Sequence, residues 1–247
     1  MDIGLCKLCL NEKELLNKSH IIPDFMYKTL YDDKHRIIRF IPLKIKGKPQ
    51  SFKYIQNGVY EGGILCEKCD NEIIQKYETY ACKILFSKDK LAADIKLICQ
   101  NYINKDGLQY TVCTNLDYTK FKLFLLSILW RASISKNKMF NEIDLEENEE
   151  IIREMVLTGN PKSENDFPIS IFSFFKDKEA SNDFVIQPRK AGTRYLFPMR
   201  GIIFNFYLDF GDVKTDFRNN ILKEQGSMTL IHFKNGNFNV FLDKYFR

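Results

Sequence analysis

The chain has 247 residues, 45% apolar and 14% aromatic, with 21 Phe and a formal net charge of +5. That content of large apolar side chains excludes a disordered or low-complexity protein and is enough for one large domain, or a small module joined to a larger one. The mild positive charge is compatible with a nucleic-acid partner but does not require one.

The first ten residues lack the apolar stretch and cleavage signal of a secretory peptide. The most apolar run, Phe121 to Ile134, carries Lys122 and Arg131 and is too short to span a bilayer, so a soluble protein is expected. Four of the seven cysteines form two C-x2-C pairs, and Cys82, Cys99 and Cys113 are scattered. An odd count with this spacing points to a metal site in a cytoplasmic protein and not to a secreted disulfide framework.

Cys6 and Cys9 open the chain with a spacing that lets a tight turn aim two thiolates at one tetrahedral ion. Ser19-His20-Ile21-Ile22 reads as a strand ended by Pro23, and Phe25 to Tyr31 as one or two helical turns. Residues 34–53 carry Lys34, Arg36, Arg39, Lys44, Lys46, Lys48 and Lys53 and no acid, interleaved with Ile38, Phe40, Ile41, Leu43 and Ile45. This is the pattern of a basic hairpin turning at Gly47-Lys48-Pro49. Its lysines serve either as a solvated edge that discourages aggregation or as an arm that contacts phosphates.

Asn57-Gly58 and Gly62-Gly63 mark turns before the second pair, Cys66 and Cys69, which opens a helix. A helix start suits thiolates, because free backbone N–H groups and the positive end of the dipole lie there. Ile73, Ile74, Tyr77, Ala81, Ile84 and Leu85 then share one helical face.

Further on, Ala92–Tyr102 and Leu108–Cys113 read as strands around a turn at residues 104–107. Asp117 is placed to cap a helix over Tyr118–Ser133, apolar on most sides and hence central to the core. Arg131 within it calls for a buried ion pair, with a phosphate contact as the alternative. The acids of residues 142–154 read as a solvated helix face stopped by Pro161. From Ile169 the pattern is strand-rich: Ile169–Phe175, Phe184–Gln187, Ile202–Asp209, Ser227–Phe233, and Phe238–Leu242 after a hairpin turn at residues 234–237. The chain has no phosphate-binding glycine loop of the Walker or dinucleotide type and no G-x-S-x-G.

Two C-x2-C pairs supply the four thiolates of a closed, structural zinc site, with residues 10–65 inserted between them. His20 sits between the knuckles, with Glu61, Asp70 and Glu78 available as carboxylates. A neutral imidazole can deprotonate water, and a carboxylate-held Mg2+ or Mn2+ can stabilise a phosphate and its leaving oxygen.

The run Cys6-x2-Cys9, Ser19-His20-Ile21-Ile22-Pro23, Glu61-Gly62-Gly63-Ile64-Leu65-Cys66-x2-Cys69-Asp70 resembles the HNH endonucleases that carry zinc-binding cysteine pairs. The resemblance implies a treble-clef, ββα-metal fold in which His20 is the general base and Asp70, with Glu61 at the usual asparagine position, holds the catalytic cation. Ser19 stands where a metal-binding His or Asp is usual, Asp70 replaces His, and Glu61 replaces Asn. The resemblance covers residues 1–80 and extends to nothing in residues 90–247. Some HNH-like proteins of this kind occur in bacterial phage-defence and mobile-element settings.

The expected architecture is therefore α+β. An HNH-like zinc-stapled module occupies residues 1–90. A mixed α/β region at 91–247 carries the central apolar helix and C-terminal antiparallel strands, and binds substrate or a protein partner. The expected function is metal-dependent cleavage of nucleic acid, DNA by resemblance, gripped by the basic stretch. The alternatives are an inactive zinc-stabilised module that binds nucleic acid, or one that binds protein alone.

Overall fold

The structure is a computed structural model that describes residues 2–28, 30–41, 51–56, 58–86, 96–178 and 184–246. Strands β1 (Ile3–Leu5) and β2 (Glu12–Glu14) form a hairpin around the first cysteine pair. Leu10 takes a φ of 55° in this turn, and its N–H donates to the Cys6 carbonyl at 2.9 Å. Strand β3 (Ser19–His20) leads into a single 3-10 turn at Asp24–Met26. Strands β4 (Arg36–Ile41) and β5 (Ser51–Gln56) pair antiparallel, and β6 (Tyr60–Glu61) returns to pair with β3. Past Cys66 the chain winds through wide π-type turns over Lys68–Ile74 into α1 (Gln75–Phe86).

Strands β7 (Ile98–Ile103) and β8 (Gln109–Thr114) precede α2 (Tyr118–Ile134) and α3 (Asn148–Thr158). Strands β9 (Ile169–Ser173), β10 (Phe184–Ile186), β11 (Arg189–Ala191), β12 (Arg194–Met199), β13 (Ile202–Tyr207) and β14 (Met228–His232) follow, and α4 (Asn237–Phe246) comes last. A seven-stranded mixed sheet runs in the order β11-β12-β13-β9-β14-β8-β7, with β14 and β9 parallel and the other pairs antiparallel.

Alternation along the strands explains why this sheet is apolar on both faces. Ile169 and Ile171 of β9, with Phe204 and Phe206 of β13, face the core around α2. Phe172 of β9, Ile203 of β13 and Ile231 of β14 face the other way, onto Phe238, Phe241 and Leu242 of α4. The sheet is thus the middle of three layers. Helix α2 lies on one side, buried from Phe121 through Ala132, with Asp117 capping it by accepting from the Lys120 N–H at 2.9 Å. Lys122 is satisfied inside the core by the Tyr118 hydroxyl and the carbonyls of Ser163 and Asp166. Burial still pulls its ammonium down to about 8.

The α+β class and the central helix are as expected. Four local expectations differ. Phe238–Leu242 is not a strand after a hairpin; it lies in α4. Phe238, Phe241, Leu242 and Tyr245 recur at helical spacing, and the helix start is capped from afar by Asp177, whose carboxylate accepts from the N–H groups of Gly236 and Phe238 at 3.0 and 2.8 Å. Cys99 and Cys113 are not scattered: they are register partners on β7 and β8 and form a disulfide, leaving Cys82 alone among the three as a free thiol. Helix α3 ends at Gly159 (φ 78°) before Pro161 is reached, and it starts only at Asn148, after the first of the acids. The β11–β12 hairpin went unread, and β10 adds in parallel to β4 of the basic hairpin. The hairpin turn at residues 47–49, with Lys44, Lys46 and Lys48, lies outside the described residues.

Segments 1–90 and 91–247 share one hydrophobic core that includes Cys6, Cys66 and Cys69 as well as Phe124, Trp130 and Ile152. Polar ties reinforce it. Arg153 of α3 donates to the Leu8 carbonyl inside the first knuckle, and the Tyr77 hydroxyl of α1 donates to the Val156 carbonyl at 3.2 Å.

Candidate metal centre and active-site cleft

The metal centre comes first from the chain's own turns. Lys7 donates to the Ile64 carbonyl and Leu16 to that of Leu65, which lays the first knuckle against the second. Gly62 permits this approach: a Cβ there would lie 2.5 Å from the Asn17 carbonyl oxygen. The Sγ atoms of Cys6, Cys9, Cys66 and Cys69 end up within 4.8 Å of one another, three of the cysteines being buried. With sulfur at about 2.3 Å from the metal, one zinc reaches all four after sub-ångström adjustment. The Cys66 N–H donates to Cys6 Sγ at 3.4 Å. A hydrogen bond from the Cys69 thiol, together with backbone N–H donors, holds the Cys6 thiol below its usual value against the cost of burial, while the same contact and burial push the Cys69 thiol up. The chemistry of the donor set fits a thiolate-bound ion such as zinc.

His20 is positioned from two sides. Strand β3 pairs with β6 so that His20 faces Tyr60 and Ser19 faces Glu61. From the core, the Arg131 guanidinium of α2 donates through Nη1 to the His20 carbonyl at 2.6 Å. The imidazole is half-buried and lines a cleft of about 560 Å³. Pro23, Asp24, Phe25 and Lys28 form one part of this cleft, and Gln75, Glu78, Thr79, Cys82 and Lys83 of α1 form the rest. Burial holds the His20 imidazole below its usual value; Asp24 and Glu78 oppose this, while Lys18 and Arg131 add to it. The ring is therefore neutral near pH 7 and able to accept a proton.

The expected carboxylates separate. Glu78 lines the His20 cleft, and its Oε1 lies 2.8 Å from Arg131 Nη2, an ion pair out of line for a hydrogen bond. Arg131 thus makes the buried pair expected of it, and ties the His20 strand to α1 as well. Asp70 follows the cysteine cluster, where burial and the charges of Glu78 and Cys6 push its carboxyl up to about 6 against the pull of Arg131. Glu61 is occupied elsewhere: its carboxylate accepts from the Ser135 hydroxyl at 2.5 Å and from the Lys136 N–H at 3.0 Å. Ser19 is fully buried and its hydroxyl has no partner.

Of the basic stretch, Lys34 is exposed, whereas Arg36 pairs with Asp32 at 2.7 Å and stacks its guanidinium 4.3 Å from the Tyr54 ring. Arg39 and Lys53 are cross-strand partners. Lys28 and Lys83 of the cleft were not singled out by sequence. They lie in different elements, and no local pattern links them. A second cleft of about 770 Å³ shares Gln75, Thr79 and Lys83 with the first and adds Lys76 and Lys120, so the exposed side of α1 borders both.

Comparison with protein-family models, with curated proteins and with solved structures finds no match to this chain.

Proposed function

We propose that this protein cleaves phosphodiester bonds in nucleic acid, with His20 as the general base and the four-cysteine centre as a structural zinc site. One observation carries the reading. His20 is half-buried, its imidazole shifted toward the neutral form, in an open cleft that Lys28 and Lys83 also line. A neutral base in a cleft that also carries ammonium groups suits deprotonation of a nucleophile near an anionic phosphate. The basic hairpin, represented by exposed Lys34, extends the positive surface available to a polyanion.

The test compares wild type with His20→Ala on single- and double-stranded DNA and RNA, with Mg2+ and Mn2+ present and absent. Circular dichroism confirms that the variant is folded. The expected result is a loss of cleavage of at least about 100-fold. Equal cleavage by the two proteins, or none by either, sinks the proposal.

A second reading is a module that binds nucleic acid without chemistry. The buried, unpartnered Ser19 hydroxyl favours it, since this position offers no ligand to the cleft. Steeply salt-dependent binding without cleavage is its signature.

A further inference from the structure

Building on the nuclease reading, we propose that the His20 cleft cleaves RNA without a divalent cation, using the ribose 2′-hydroxyl as nucleophile, with Arg131 as the fixed cation that positions the site.

The surroundings of Arg131 lead to this. The residue is 1% exposed. Its guanidinium meets the Glu78 carboxylate at 2.8 Å, the His20 carbonyl at 2.6 Å and the Ser127 carbonyl at 3.1 Å. Glu78, the carboxylate on the helical side of the cleft, therefore already faces a cation, and a guanidinium does not give up its proton; Asp24, the carboxylate on the other side, accepts from the Tyr31 hydroxyl at 2.8 Å. A divalent ion bound by Glu78 would sit against that charge. Glu61 is engaged by Ser135 and Lys136, and Ser19 offers only a buried neutral hydroxyl. Among the described residues, the four cysteines are the only group of three or more His, Cys, Asp or Glu residues close enough to share an ion. Mg2+ needs near-octahedral oxygen donors, and the residues around His20 do not fit it.

Without a metal to lower the pKa of water, a single imidazole base works best on a nucleophile already held beside the phosphorus by the substrate. RNA has one in its 2′-hydroxyl and DNA has none. In the balanced step the His20 imidazole accepts the 2′-hydroxyl proton and the 2′-oxygen bonds to phosphorus. The bond from phosphorus to the 5′-oxygen breaks, and that oxygen takes a proton from water. The products are a 2′,3′-cyclic phosphate and a 5′-hydroxyl. Lys28 and Lys83 supply positive charge for the phosphorane oxygens. Arg131 touches no substrate. It is a positioning residue, fixing the His20 backbone against α1.

The experiment uses the full zinc-loaded chain in buffer freed of other divalent metals by a chelating resin. Three single-stranded oligonucleotides of one sequence are offered: RNA, 2′-O-methyl RNA and DNA. Only RNA is expected to be cut, leaving cyclic-phosphate ends by mass spectrometry, with a rate that Mg2+ or Mn2+ changes by less than about twofold and that His20→Ala lowers at least about 100-fold. Cleavage that appears only with Mg2+ or Mn2+, equal cutting of DNA, or 5′-phosphate ends would overturn this inference and leave the nuclease reading standing. No cleavage of any oligonucleotide with or without metal overturns both. Arg131→Lys tests positioning: kcat is expected to fall with KM held, and an unchanged kcat would remove that role. Should that variant not fold, a Mn2+ titration of the wild-type chain followed by electron paramagnetic resonance decides. No bound Mn2+ is expected, whereas one Mn2+ per chain, lost in Asp70→Asn, would refute the inference.

Discussion

His232 shows how much a single side chain can be made to depend on its protonation state. Its ring joins strands that are distant in sequence. Thr111 lies 2.6 Å from Nε2 and Ser173 lies 3.1 Å from Nδ1. The Thr111 hydroxyl donates to Asn101, so Nε2 carries the proton, and Nδ1 accepts from Ser173, which itself accepts from the Phe175 N–H. Only a neutral imidazole completes this chain across β7, β8, β14 and β9. Burial, with Lys176 nearby, holds the ring below its usual value. A base whose folded pKa is depressed takes up its proton later than the unfolded chain does. Its contribution is therefore intact above the usual histidine value of about 6.5 and is lost as pH falls below it. Thermal melts between about pH 7.5 and 5.5 should show stability declining with acidity, and His232→Gln should flatten that slope. An unchanged slope would place the titrating group elsewhere.

Arg131 is the other residue on which much rests. Truncation to Met leaves the buried Oε1 of Glu78 without its cation and the His20 carbonyl without a donor. Breaking a buried pair from one side costs about 3–5 kcal/mol, which urea denaturation would register. Glu78→Gln keeps the shape but leaves the fully buried guanidinium without its counter-ion, so a comparable cost is expected. The sequence announced Arg131 as a charge inside an apolar helix needing a partner. It could not name Glu78, because that partner lies on another helix.

At the scale of elements, α2 and α4 make a contrast. Helix α2 is legible from its own residues, with Asp117 at the cap and apolar side chains all round. Helix α4 is not, since its cap is the Asp177 carboxylate, delivered by the segment after β9. An Asn-Gly step followed by apolar residues carries a hairpin signal when its surroundings are unknown. Asp177→Ala is expected to cost about 1 kcal/mol and to speed amide exchange over residues 237–246 before the rest of the chain opens. Leu126→Ala, in the middle of α2, should cost about 2–5 kcal/mol in the same assay, because nothing around a fully buried leucine can close the cavity cheaply.

At the scale of the whole molecule, the cysteine centre and the large sheet are joined through helices α1, α2 and α3. Arg153 reaches into the first knuckle, and Arg131 holds the His20 strand. An ion held by the four cysteines should therefore support the entire chain, and its removal should weaken it. Cys69→Ser is expected to reduce the metal content from one zinc per chain to none by elemental analysis, and to lower the melting temperature of a single cooperative transition. Two separate transitions, with the later one unaffected, would show that residues 91–247 fold independently.

Spacing along the chain carried the four cysteines, the strand bearing His20, the basic hairpin and the central helix. Each of these is a periodicity or a cap written within a few residues, where backbone geometry alone decides which side chains share a face. Folding decided the partners. It brought Glu78, and not Glu61, to the histidine, placed Arg131 behind both, set Cys99 opposite Cys113, and turned the last apolar segment into a helix. These outcomes depend on strand register and on groups tens of residues apart, and the free energy of pairing them is settled only when the core closes and water leaves.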